Sequence, residues 1–148
     1  MNIFIKNTGK TSELRGHIFV ENYDRLELNI NAEHLCENTG ILVHTKIIAH
    51  ENTYSKLTGN AIISENCIDC ISDIGFTAIA DNTAKIEFLP AQFIKSEPKS
   101  AEHSASIYRQ TPAQIQYLRM AGLSTDEIRN IAYEPFKNNF NLSLKKYP

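Results

Sequence analysis

Residues 40–50 read Gly-Ile-Leu-Val-His-Thr-Lys-Ile-Ile-Ala-His and form the longest alternating stretch of the chain. Val43 and Ile47 fall on one side of an extended backbone, and His44 and Lys46 fall on the other. Side chains of a β-strand point to opposite faces in turn, so this alternation predicts a strand with one buried face.

Shorter runs of the same kind flank this strand on both sides. They cover residues 2–5, 17–21, 25–30, 61–64, 67–72, 76–80 and 84–89. Turn signals recur near residues 8, 23, 38, 59, 74 and 82, residues 31–37 suit one or two helical turns, and no internal repeat is apparent. Short, evenly spaced strands without crossover helices predict an α+β protein whose main body is a small antiparallel β-barrel or sandwich of about seven to eight strands.

The last third of the chain carries local signals for two helices. Thr111, followed by proline, is typical of a helix start, and Gly122 suits the residue just beyond a helix end. Ser124 and Glu127 have the spacing of a capping box, which predicts a second helix. Pro135 is expected to end that helix, because proline restricts the residue before it.

These patterns predict a division of the chain into three parts. A β-rich domain covers residues 1–95, an exposed linker covers residues 96–106, and a helical pair with a tail covers residues 107–148. The linker is predicted because residues 95–106 contain no large apolar side chain. A chain ending near Ile94 is therefore expected to fold by itself.

Composition excludes a collagen, a long coiled coil and a largely disordered chain. The chain has 148 residues, of which 42% are hydrophobic and 22% are charged, as in a globular protein. No apolar run is long enough for a membrane helix, and the start of the chain lacks the features of a signal peptide, so the expected location is the cytoplasm. Frequent Ile and Asn residues suggest an AT-rich genome, such as that of a phage, a mobile element or an AT-rich bacterium.

Charge is distributed unevenly along the chain, whose net charge is −2. Residues 1–106 carry nine Lys and Arg against fourteen Asp and Glu, whereas residues 107–148 carry six against three. A basic end can mark contact with nucleic acid or an acidic partner, and it is also compatible with ordinary solvated surface.

The helical pair, residues 113–132, resembles the helix-turn-helix of bacterial regulators, because two helices flank a short turn that reads Ala-Gly-Leu-Ser. This resemblance implies that the second helix reads DNA. The alternative is an ordinary helical corner packed on the β domain. In either case the candidate residues for contact with DNA or a partner protein are Arg119, Thr125, Arg129, Asn130 and Tyr133.

A C-x-x-C motif, Cys67 and Cys70, is the main candidate for metal chemistry, with His34 and Cys36 as further weak candidates. In a regular strand the two motif cysteines point to opposite faces, which does not suit chelation. We therefore expect structural thiols, no bound metal and no cofactor.

Other chemistry has little support in the sequence. It contains no P-loop, no G-x-S-x-G, no H-E-x-x-H and no dinucleotide-binding motif. His44 and His50 lie on the polar face of one predicted strand, about 20 Å apart and too far from each other to share a metal. These two histidines, with His17 and His103, are expected on the surface. The sequence thus predicts a non-enzymatic intracellular protein-binding module, such as an accessory or inhibitory protein of a phage or mobile element. The alternative is a DNA-binding regulator, and neither hypothesis involves a membrane.

Overall fold

The chain forms eight strands followed by two helices. The computed structural model describes the backbone of residues 1–145 and the side chains of residues 1–138, so residues 146–148 of the predicted tail lie outside the described part. The strands are β1 (Asn2–Asn7), β2 (Glu13–Asn22), β3 (Arg25–His34), β4 (Gly40–Ala49), β5 (Tyr54–Ile63), β6 (Ile71–Ala80), β7 (Lys85–Ile94) and β8 (Ser100–Tyr108). The helices are α1 (Pro112–Met120) and α2 (Thr125–Lys145).

Successive strands belong alternately to two sheets, in the orders β1-β3-β5-β7 and β2-β4-β6-β8. Every pairing is parallel, and each register is continuous along its strands. The chain therefore winds through four coils of a β-solenoid. The predicted antiparallel barrel or sandwich is wrong, because a turn between consecutive strands here leads into the opposite sheet and does not close a hairpin.

The core lies between the two sheets, where alternate side chains of neighbouring coils stack. Leu28 and Leu57 stack from one sheet, Ile47 and Ile74 come from the other, and all four are fully buried. Burial of each such side chain contributes about 1.5–3 kcal/mol. Gly59 is required where the sheets approach closely, since a Cβ there would lie 2.9 Å from Ile74 Cγ2.

Asparagine side chains stabilise the corners of the solenoid. Asn7 donates from Nδ2 to the carbonyl oxygens of Ser12 (3.0 Å) and Gly40 (3.1 Å), which joins two coils. Asn22 donates in the same way to the carbonyl of Tyr54, at 2.9 Å. Three further corner asparagines have positive φ, a conformation that Asn tolerates better than most residues: Asn38, Asn52 and Asn66. Much of the asparagine content thus has a structural role.

Two predicted boundaries differ from the structure. Residues 100–106 of the predicted linker belong to β8, which pairs with β6 along nine residues, so the solenoid extends to Tyr108. The helical turns expected at residues 31–37 are replaced at their start by the end of β3.

The two predicted helices are present. Thr111 accepts a hydrogen bond from the amide of Gln114, and the Gln114 side chain accepts one from the Thr111 amide. Ser124 and Glu127 form the equivalent box at α2. Pro135 lies inside α2 and does not end it, so that part of the expectation is wrong.

Candidate functional site

Helix α2 packs on the outer face of the sheet β2-β4-β6-β8. Tyr133 contacts Ile48 and Ile79, and Phe19 and Phe136 border this small apolar cluster. His50 makes an edge-on contact with the Tyr133 ring, at a centroid distance of 5.4 Å. These contacts place the predicted recognition helix against its own solenoid.

Two of the five predicted contact residues face the solenoid. The Arg129 guanidinium pairs with Glu51 and reaches Asp81, with 3.4 Å between Nε and Oδ2. Tyr133 is 5% exposed, and burial raises the pKa of its hydroxyl, which keeps the group protonated. The helix-turn-helix interpretation is wrong on this geometry, because its best base-reading residue is bound by carboxylates of the same chain.

The other three predicted contact residues, Arg119, Thr125 and Asn130, are exposed. Arg119 and Thr125 line a cavity of about 140 Å³ between the helices and the corner of the solenoid near Asp81. Tyr117 and Met120 are exposed apolar side chains of α1. The helical pair therefore keeps a mixed apolar and basic outer surface.

The four weak metal candidates meet at one corner of the solenoid. His34 is buried, and its Nδ1 lies 2.8 Å from Thr39 Oγ1, which in turn lies 3.2 Å from Cys70 Sγ. The Cys67 thiol donates to the carbonyl of His34 at 3.4 Å, and Cys70 donates to that of Cys36 at 3.3 Å. Sequence reasoning missed Thr39, which links the imidazole to the thiol.

This thiol corner, formed by His34, Cys36, Thr39, Cys67 and Cys70, is built from internal hydrogen bonds. Burial raises the pKa of the Cys67 thiol and lowers the pKa of the His34 imidazole, so the uncharged forms are favoured. Thiolates are good metal ligands, but here each thiol donates to a backbone carbonyl. Among residues 1–138, no three His, Cys, Asp or Glu side chains are arranged to hold a metal ion.

The C-terminal end of the solenoid exposes part of the core. Strands β7 and β8 are the last members of their sheets, and no described strand pairs with their outer edges. Ile94 and Ile107 point inward in register with buried Ile63 and Ala78, yet they are 42% and 45% exposed. We call this surface, with the flanking exposed Phe93 and Tyr108, the open end.

The open end has the chemistry of a protein contact surface. An edge strand offers unpaired N–H and C=O groups, and a solenoid needs a polar cap or a partner at its last coil. The sequence did not indicate this surface, because the predicted antiparallel barrel or sandwich has no stacked coils and therefore no last coil. Over the residues that the structure describes, neither helix has the length and apolar character to cross a membrane.

Comparison with known proteins identifies the family of the chain. The family model described as SUF system FeS cluster assembly, SufBD core domain, matches residues 1–136. A search of curated proteins found no match. The family match overturns the predictions of a phage or mobile-element accessory protein and of a DNA-binding regulator.

A family that serves an assembly system implies protein partners, in agreement with the predicted class of partner, and nothing supports a nucleic-acid partner. The match covers all eight strands, the whole of α1 and the first part of α2. The chain therefore belongs to the SufBD core-domain family and takes part in Fe–S cluster assembly.

Proposed function

We propose that the chain is a non-enzymatic scaffold of Fe–S cluster assembly that binds another protein of the SUF system through the open end. The observation that carries this proposal is the exposure of inward-facing Ile94 and Ile107 in the last coil. An incoming strand or sheet would cover these side chains and pair with the edges of β7 and β8.

The position of the helices supports this choice of surface. Helix α2 covers the outer face of one sheet around Ile48 and Ile79, so its described contacts leave the open end uncovered. Phe93 and Tyr108 lie at the rim of the open end, and aromatic side chains commonly anchor protein interfaces. The surface thus combines unpaired backbone groups, an apolar centre and aromatic anchors.

The thiol corner supports a structural contribution to this scaffold. Cys67 and Cys70 are buried and bonded to carbonyl groups, and they pack with Ile63. We therefore assign the contribution of the chain to protein contact and treat the Fe–S cluster as the cargo of the system. The cytoplasmic location expected from the sequence belongs to this proposal, and fractionation of host cells tests it.

Co-purification with tagged SUF proteins of the same host tests the proposed surface. We expect Ile107→Asp to abolish co-purification, because the charge would lie at the centre of the buried contact. Tyr117→Asp is the matched control, since it places the same charge on an exposed apolar site of α1. Circular dichroism verifies that both variants fold. Loss of binding in Tyr117→Asp, with normal binding in Ile107→Asp, would move the interface to the helices and refute the proposal.

A further inference from the structure

The first coil of the solenoid leaves core uncovered at the end opposite the open end. Strands β1 and β2 are the first members of their sheets, and no described strand pairs with their outer edges. Leu14 of β2 points inward in register with the fully buried Ile41, yet it is 38% exposed. Ile18 is only half-buried beside the buried Thr45. We call this surface, formed by Leu14, Ile18 and the outer edges of β1 and β2, the entry end.

The inner faces of the open end and the entry end have complementary side chains. A second copy that continued the register of the sheet β2-β4-β6-β8 would place its β2 beside β8, about 4.8 Å away. Each column of stacked side chains would then gain one more member. Three inward pairs would form, each between a small and a larger residue: Ala101 with Leu14, His103 with Gly16, and Ala105 with Ile18 of the second copy. This alternation of sizes allows the close packing found in protein cores.

The outer faces of the two ends have complementary charge. Asp73 and Glu102 are register partners, so two carboxylates lie on neighbouring strands of the same face, where like charges repel. The next member of this column would be Arg15 of the second copy. The Arg15 side chain is 43% exposed and forms an ion pair with Glu13 of its own chain. A guanidinium has five N–H donors, so it can bind a second carboxylate and reduce this repulsion.

The backbone of β8 suits pairing with a second copy. Strand β7 contains Pro90, which has no N–H to donate, whereas β8 contains no proline. Strand β8 has nine residues and β2 has ten, so the two are matched in length. The edges of β8 and of β2 in the second copy would therefore supply the backbone hydrogen bonds of the contact.

We propose that the open end of one copy of this chain binds the entry end of a second copy, with β8 of the first parallel to β2 of the second. The two surfaces differ, so the contact repeats from copy to copy and builds a row instead of a closed pair. A SUF protein bound at the open end competes with this self-association, because both use the edge of β8. The purified chain alone is sufficient for the contact, so the inference does not rest on the proposed function.

Sedimentation velocity of the purified full chain over a range of concentrations tests the proposal. We expect the mass to rise with concentration beyond that of a dimer. Glu102→Arg and Arg15→Glu each bring like charges together, so each should weaken association at least about tenfold. Glu65→Arg is the matched control, because it makes the same charge change at an exposed position outside both ends and should leave association unchanged.

An equimolar mixture of Glu102→Arg and Arg15→Glu makes the test specific. Every open end in the mixture can meet an entry end of opposite charge on the other variant, so we expect association to return to the level of the unmodified chain. Recovery on mixing also shows that both variants are folded. No recovery from two variants that are folded by circular dichroism would overturn the proposal.

The remaining outcomes separate this contact from others. Association that stops at a dimer and is weakened by Glu102→Arg but not by Arg15→Glu would indicate two open ends in contact, and it would overturn the proposal. A chain that stays monomeric at its highest soluble concentration would do the same. If that monomeric chain still co-purifies with a SUF protein through Ile107, the proposed function stands and only the self-association fails.

Discussion

The solenoid and the helical pair are stabilised by different kinds of contact. Each inner strand of the solenoid pairs with a strand of the coil before it and with a strand of the coil after it, and the side chains at the centre of the core are buried. By contrast, α1 has no buried residue, and the described part of α2 buries only Ile128 and Tyr133. The helices depend on caps, ion pairs and one small apolar cluster.

This contrast indicates that the solenoid is the folding unit and that the helices dock on it. Contacts between distant residues stabilise the solenoid, so removal of one strand exposes core along a whole coil. Because the helices bury few side chains, we expect them to open locally at a smaller cost in free energy than the strands of the solenoid.

Truncation gives the largest expected effect. A chain ending after Gln110 keeps all eight strands, and we expect it to retain cooperative unfolding. A chain ending after Ile94 lacks β8 and exposes the β6 face of the core, so we expect loss of most of the about 5–15 kcal/mol typical of a domain. This expected loss is the opposite of the prediction made from the sequence, in which a chain ending near Ile94 folds by itself. Thermal unfolding of both chains is followed by circular dichroism. Equally cooperative unfolding of the two chains would contradict the conclusion that all eight strands form one folding unit.

Matched leucine substitutions sharpen the comparison within the full chain. Leu57 is fully buried in the solenoid core, whereas Leu118 on α1 is half-buried. We expect Leu57→Ala to lower the free energy of unfolding by about 2–5 kcal/mol, because it removes packing and leaves a cavity. Leu118→Ala should cost less than about 1 kcal/mol, since its contacts are fewer and solvent-exposed. Chemical denaturation compares the two, and similar losses would make the helices part of the core.

Arginine substitutions test the contact between the two regions. We expect Arg129→Ala to cost about 1 kcal/mol, because it breaks an ion pair with the exposed Glu51 and a second one with the more buried Asp81. Arg119→Ala removes an exposed guanidinium of the same pair of helices and should change stability by less than about 0.5 kcal/mol. Denaturation curves at low and high salt measure the effect. A cost for Arg129→Ala no greater than for Arg119→Ala would show that the ion pairs do not hold α2.

The helices were predicted well because their signals are local. Thr111 caps α1 by accepting a hydrogen bond from the amide of the residue three positions ahead, and Ser124 and Glu127 form the cap of α2 in the same way. Gly122 has φ +88° at the end of α1. Each signal and its effect lie within one helical turn. Pro135 was misjudged because a proline tolerated within a helix has the same local sequence as one that ends it.

The positions of many strands were predictable, but their neighbours were not. Residues 40–50 nearly coincide with β4, yet alternation does not specify which strand lies beside it. The repeat escaped detection because the coils differ in length. His17, His44, Gly75 and Ser104 stack in one column at steps of 27, 31 and 29 residues.

The same stacking of coils explains which candidate sites could be recognised in the sequence and which could not. The weak set of His34, Cys36, Cys67 and Cys70 does meet at one corner, because corners of successive coils lie above one another. The open end was missed, since it depends on the parallel register. Arg129 and Tyr133 were identified as contact residues, but their partner is the solenoid of the same chain.

Acid sensitivity of the contact between β2 and α2 gives the smallest expected effect. Lys137 of α2 lies 2.8 Å from Glu21 of β2, and hydrogen bonds from Lys137 and Tyr23 hold the pKa of the Glu21 carboxyl below its ordinary value of 4.5. As pH falls below about 4.5, the unfolded chain takes up the proton first, so this contribution to the free energy of unfolding is lost progressively. We expect the loss to be under about 1 kcal/mol, since both side chains are partly solvated.

Glu21→Gln should remove this part of the pH dependence, and Lys137→Met should reduce it. Lys6→Met is the control, because it removes an exposed lysine of β1 and should leave the pH dependence intact. Unfolding measured between pH 3 and pH 7 decides the matter, and a Glu21→Gln profile identical to that of the unmodified chain would mean that this contact does not couple the two regions.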